Sequence, residues 1–214
     1  MVVVNWSRSN GDEMPQQAES ALDRRRRVRR ADFIVAGIAL LGAADGGAVT
    51  VRGACRVAGL TERYFYESFE DRDQYVRQVY EEVGARAHQA LSDAMVAGDR
   101  GQGGAQAERA AAAVDAFVGL MVDQPAMGRV LLLAPIAEPA LSGIGMALLP
   151  AFITLVLEQL TAVPDPVEKQ LLATGVVGAL TALFVGYLEG TLVVDRARLV
   201  EHCVELVLDT NRRR

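Results

Sequence analysis

The sequence predicts an all-α protein of about nine helices. Apolar residues recur at spacings of three and four, glycines and prolines stop the runs at helix-like intervals, and strand alternation is nearly absent. Three short helical runs stand near the N-terminus, and a longer, more apolar helical region follows a glycine-rich break. The chain of 214 residues, 51% hydrophobic, is long enough to bury a core of its own.

Residues 1–22 are expected to form a loose tail: Met1 to Ser20 is mostly polar, its only apolar run is Val2 to Val4, and it lacks the apolar segment of a signal peptide. Ile34, Ile38 and Leu41 form one stripe of a first helix, from about Asp23 to Ala44, which Gly46 and Gly47 stop. Val51, Ala54, Cys55 and Ala58 then define a helix of barely two turns, capped by Thr50 and ended by Gly59. Thr61 is placed to cap a third helix, whose Phe65 and Phe69 fall at i and i+4 and should turn inward. Asp71 caps a fourth, with Gln74 positioned to reach back and Val76, Val79, Tyr80 and Val83 as its buried stripe to about Val96. Four glycines between Gly98 and Gly104 mark a break. Helices are expected beyond it at about Ala105 to Val122, Pro125 to Leu133, Leu141 to Thr161, Val167 to Leu192 and Arg196 to Thr210.

Charge is unevenly spread. The net charge is −5, yet Arg24 to Arg72 holds ten arginines against six acids, which leaves −9 for the remainder. A basic N-terminal third joined to an acidic remainder fits a nucleic-acid-reading module fused to one with another task. The run RRRRVRR from Arg24 to Arg30 precedes the first apolar stripe, and Arg24, Arg25, Arg26 and Arg27 are candidates for a basic arm in a minor groove; the plain alternative is a solvated charge run.

The segment TVRGACRVAGLTERYFYESFEDRDQYVRQV places two capped helices around the turn Ala58-Gly59-Leu60, the spacing at which a second helix projects into a major groove. Its Thr-Val-Arg, Ala-Gly-Leu-Thr and Phe-Tyr-x-x-Phe elements resemble those of the TetR family of bacterial transcriptional regulators over roughly residues 30 to 83. The resemblance implies a three-helix DNA-binding domain at 23–72, a connecting helix at 73–98 and an effector-binding and dimerisation domain at 99–214. It further implies that Thr50, Tyr66 and Arg72 position DNA phosphates, that Thr61 also lies at the DNA contact, and that the exposed face of the third helix, with Arg63 and Tyr64, reads bases. Two features depart from the pattern: Arg63 stands where the family often has glycine, and Glu62 and Glu67 put carboxylates near the duplex.

For the second half the resemblance implies a homodimer on a palindromic operator and a small-molecule effector. The dimer face is expected on the last two helices, with Gly178, Gly186, Leu199, Cys203, Leu206 and Val207, and with Gly175 and Gly190 allowing close approach. Phe117, Met121, Met127, Leu131, Met146, Phe152, Phe184 and Tyr187 are candidate pocket walls, although Met and Phe at helical spacing are often plain core. Few rings and few internal charges favour a largely apolar effector over a caged cation.

Residues 139–157 and 170–188 are each free of charge and long enough to raise a membrane-inserted hairpin as an alternative, though acids flank them and no positive-inside anchor is present. A protein-binding helical module is a third reading, which Glu62 and Glu67 keep open. No catalytic constellation is legible: His88 and His202 are the only histidines, and neither sits in a metal or triad pattern. No metal or cofactor is expected. Cys55 and Cys203 lie far apart as free thiols, which suits a reducing cytoplasm.

Overall fold

The computed structural model describes residues 20–46, 48–99, 106–161 and 163–212. Ten α-helices account for most of them: α1 (Ala21–Leu41), α2 (Val51–Ala58), α3 (Glu62–Ser68), α4 (Arg72–Asp99), α5 (Gln106–Met121), α6 (Pro125–Leu132), α7 (Ala134–Ala137), α8 (Leu149–Gln159), α9 (Pro166–Leu188) and α10 (Arg196–Arg212). No strand occurs among the described residues. Most of the expected tail lies outside the described residues, as do Gly47 and residues 100–105 of the glycine-rich break.

Local chemistry explains where the head helices begin and end. Gly53 N–H donates to Thr50 Oγ1 at 3.0 Å, which caps α2, and Gly59 closes it at φ 67°, a left-handed conformation that glycine adopts without steric cost. Gln74 N–H donates to Asp71 Oδ1 at 2.7 Å, while Gln74 Oε1 accepts from Glu70 N–H at 2.8 Å, a reciprocal cap at the start of α4. Thr61 differs from expectation: it precedes α3 in the extended conformation, but its hydroxyl makes no capping bond.

The first three helices close on rings. Phe33, Phe65, Phe69 and Tyr75 are each at most 2% exposed. Phe65 lies edge-on to Phe33 at 5.4 Å and to Tyr75 at 5.2 Å, and Phe69 lies 4.9 Å from Tyr75. Tyr75 Oη donates to the Phe33 carbonyl at 2.7 Å, so the buried phenol is satisfied, and burial pushes its pKa well above the ordinary tyrosine value. Gly37 permits this approach of α1 to α4: a Cβ there would stand 2.4 Å from Val79 Cγ2 and 2.7 Å from Tyr75 Oη.

The core continues without interruption into the second half through Val83, Val118, Val130 and Phe184 to Cys203. Three features there depart from the sequence expectations. The helix expected over Leu141 to Thr161 is instead two 3-10 turns, Pro139–Leu141 and Gly145–Ala147, followed by the 11-residue α8. Gly143 at φ 80° and Pro150 in the first turn of α8 account for the break. The four-residue α7 was not expected at all. Leu199 and Cys203, expected at a subunit contact, face the interior at 2% and 0% exposure. Burial pushes the Cys203 thiol up to about 11. Arg196 grips Asp123 through Nε at 2.9 Å and reaches Asp115 at 3.2 Å, which ties the start of α10 to α5 and its C-terminal corner.

Candidate nucleic-acid interface

With Phe65 and Phe69 turned inward, the opposite face of α3 is left to solvent. Thr61, Glu62, Arg63, Tyr66 and Glu67 are exposed. Arg63 is the most prominent side chain on this face, 84% exposed, and Tyr66 is 58% exposed with its ring edge-on to Phe65 at 5.4 Å. Beside them on α2, Arg52 is 92% exposed and Arg56 also faces outward, while Thr50 lies exposed at the helix start. The hydroxyl of Thr50 accepts from Gly53 N–H and keeps its own proton for another acceptor. A short rod with an arginine and a tyrosine on its open side, flanked by further arginines, has the shape and charge to meet duplex DNA.

The two carboxylates that departed from the family pattern are neutralised locally. Glu67 pairs with Arg63 at 3.1 Å and with Arg29 at 3.5 Å, and Glu62 pairs with Arg52 at 3.5 Å. The exposed Arg52–Glu62 pair adds little stability, but together the pairs cancel repulsion of a polyanion and hold Arg63 extended along α3.

Three sequence-derived placements change. Arg24 to Arg27 lie within α1, with Ser20 Oγ accepting from Asp23 N–H at its start, so the run is helical rather than an extended arm. Tyr64 is half-buried under the Arg29 guanidinium, 4.2 Å from the ring centre, and packs on the core instead of standing free to touch bases. The Arg72 guanidinium is bound by protein: Nε–H donates to the Val49 carbonyl at 2.9 Å, and Nη1–H donates to Asp73 Oδ1 and to Glu138 Oε1, each at 2.8 Å. These hydrogen bonds, Glu138 foremost, hold Arg72 above its ordinary pKa and Glu138 below its own.

Sequence reading placed Arg29 and Arg30 only in the basic run, without their packing role, and gave Glu138 no role. The first two had a readable signal, because they precede Phe33 by four and three residues and so share its helix face. Arg30 donates to Gln78 Oε1 at 2.7 Å and so joins α1 to α4. Glu138 had no such signal, since its partner lies 66 residues away.

Two cavities open in the second half. One of about 140 Å³ lies between α4, α5, α8, α9 and α10, with Phe117, Phe152 and Phe184 in its wall and Arg109 and Gln159 among the few polar residues there. Phe117 meets Phe184 edge-on at 5.1 Å and Phe152 at 6.2 Å. The other, about 290 Å³, lies between α4, α6, α8 and the segment 135–148, and Leu131 lines it. Leu149, Phe152 and Thr181 border both. Of the remaining expected walls, Met121 and Met127 are packed in the core, Tyr187 packs against it, and none of the three lines either cavity. The Met146 side chain lies outside the described residues.

On α9 the side turned from the core is uncovered: Val167 and Leu171 are 68% and 63% exposed, and Gly175 and Gly178 have nothing within 4 Å of a built Cβ. Gly186, by contrast, is spent within the subunit, facing Leu192 and Thr191 at 3.3 Å. Leu206 is half-buried, and Val207 lines the smaller cavity.

No protein-family model matches the chain, and no curated protein matches it by sequence. Solved structures do match. A TetR family transcription regulator from Marinobacter aquaeolei superposes with a TM-score of 0.63 at 17% identity, covering 87% of this chain and 97% of that one. A candidate TetR-family regulator from Mesorhizobium loti gives 0.62 at 15% identity, with 87% and 96% covered. A candidate transcriptional regulator from Pseudomonas aeruginosa gives 0.67 at 19% identity, with 87% and 92% covered. The chain therefore has the all-α fold of TetR-family regulators: a helix-turn-helix head on a larger helical body.

Proposed function

We propose that the chain is a DNA-binding transcriptional regulator of the TetR type, working as a homodimeric repressor that a small, largely apolar effector releases from a palindromic operator. In this reading residues 23–72 are the DNA-binding domain, 73–98 the connecting helix and 99–214 the effector and dimer domain, and the protein acts in the cytoplasm. The observation that carries it is α3, whose buried Phe65 and exposed Arg63 and Tyr66 leave a reading face open on a ring-packed support.

Arg63 is assigned to base contact, since arginine is the side chain that most often addresses guanine O6 and N7. Thr50, Thr61 and Tyr66 are assigned to phosphates, with Arg52 as an added phosphate contact. The uncovered face of α9 is assigned to a two-fold contact, because a second copy would bury Val167 and Leu171 and the open glycines would let the backbones approach. Pairing two heads in this way predicts half-sites in successive major-groove faces.

The experiment is selection of a duplex from a random pool, followed by binding measurements across salt. Arg63→Ala should relax base preference at one position per half-site, at a cost of about 1–3 kcal/mol, whereas Tyr66→Phe should weaken all sequences alike. Failure of both variants to alter binding would refute the site assignment. Leu171→Glu should give monomers in sedimentation if α9 forms the dimer.

α9 is also long and apolar enough to cross a membrane, with only 22% of its apolar window buried in the subunit. The hairpin weighed from sequence needs a second span at 139–157, which is two 3-10 turns and part of α8 instead. Recovery of the protein only in detergent would nonetheless favour insertion over a dimer.

A further inference from the structure

Arg72 opens α4, the position at which the resemblance expects a grip on a DNA phosphate. In this structure a carboxylate occupies that grip. Nη1 and Nη2 of Arg72 donate to the two oxygens of Glu138, the paired geometry in which a guanidinium also takes a phosphate. The Glu138 side chain is only 10% exposed, and its Oε1 accepts a further bond from Ala140 N–H at 3.1 Å.

We infer that Glu138 is a stand-in for DNA phosphate, a positioning residue that keeps the Arg72 grip closed until the turn carrying it moves. This rests on the DNA-binding reading above and adds to it an internal competitor.

Two observations and one physical argument support the inference. Arg72 Nε–H is bonded to the carbonyl of Val49, the residue before the Thr50 cap, so one guanidinium touches the start of α2, the start of α4 and the body of the protein at once. Glu138 sits between α7 and the first 3-10 turn, and its neighbours Pro135, Ile136 and Leu141 wall the larger cavity, so a shift of that wall displaces the carboxylate. A part-buried ion pair roughly balances its own desolvation, so stability alone is a weak reason for placing a carboxylate opposite this arginine. A phosphate brought to the α4 start must displace Glu138 or leave Arg72 unused.

Glu138→Gln keeps the side-chain shape and an oxygen for Ala140 N–H but removes the charge that competes with phosphate. On a duplex selected by the wild-type protein, this variant should bind about tenfold tighter at low salt, with a log–log salt slope steeper by roughly one unit, the mark of one more phosphate neutralised. Adding Arg72→Gln to it should remove both gains. A purely structural role would not steepen the slope.

An unchanged or weaker affinity with an unchanged slope, in a variant shown to be folded by circular dichroism, would overturn the inference. Should Glu138→Gln fail to fold, Glu138→Ala, which also removes the competing carboxylate, is read in the same way. Failure of the underlying reading looks different: the wild-type protein and every variant would then select no sequence from the pool, and the inference would fall with it.

Discussion

The head and the body of this protein are built from different materials. In the head four nearly inaccessible rings, Phe33, Phe65, Phe69 and Tyr75, pack together with most neighbours edge to face at 4.9 to 6.0 Å, and Gly37 is needed just to let α1 approach α4. In the body the walls are mostly aliphatic, and two cavities remain between the helices. On the proposed function, a reading head has to hold one shape to position α3 and an effector domain has to leave room for a ligand, and the packing contrast is what that division of labour requires.

The largest effect that tests this division is truncation of a ring in each part. Phe65→Ala should cost about 3–5 kcal/mol and, in consequence, DNA binding, because its rigid neighbours cannot collapse into the void. Phe117→Ala, at a half-buried ring beside an existing cavity, should cost about half as much or less. Urea unfolding followed by far-ultraviolet dichroism measures both. Equal costs would mean that the body is packed as tightly as the head.

The same contrast explains what the sequence disclosed. The head was legible because its signals are local: Thr50 and Asp71 cap as expected, Gly59 takes the left-handed turn, and Phe65 and Phe69 at i, i+4 share one inward face. The body was legible in the placement of four of its helices, α5, α6, α9 and α10, and less so in helix number and in use. Leu199 and Cys203 form an apolar stripe that a dimer face would also show, yet they pack on their own subunit, because periodicity reports that a face is covered and not by what. Met121 and Phe117 are likewise indistinguishable in sequence: at i and i+4 they share one face of α5, and only the neighbours met along the helix send one to the core and the other to a cavity wall. Arg72 was found as a residue and missed as a contact, since its bond to Glu138 joins distant segments.

An intermediate effect lies at the junction of the two parts. Glu138 is held below the ordinary glutamate value of 4.5, first by the hydrogen bonds from Arg72 and against the opposing pull of burial. A carboxylate whose folded pKa is depressed contributes stability that is fully present above the unfolded value and is lost as pH falls through the folded one. The wild-type protein should therefore lose more stability than Glu138→Gln between roughly pH 5 and pH 3, with the difference read as urea midpoints across that range. Parallel loss in the two proteins would show that this ion pair carries no acid sensitivity.

The smallest effect is the most direct probe of empty space. Ala54 is 0% exposed among the head helices, and Ala113 lines the smaller cavity on α5. Both are helical, and leucine is nearly as good a helix former as alanine, so Ala→Leu at each site compares packing with little change in propensity. At Ala54 the added carbons have no space and should cost about 1–3 kcal/mol. At Ala113 they enter the cavity, and the burial of each methylene, worth up to about 0.8 kcal/mol, should offset the lost side-chain freedom and leave stability level or slightly raised. The Ala113→Leu protein should keep its affinity for DNA while responding less to whatever molecule fills the cavity. Destabilisation there as large as at Ala54 would mean that the helices do not stand apart in solution, and that the body has no room to receive a ligand at this point.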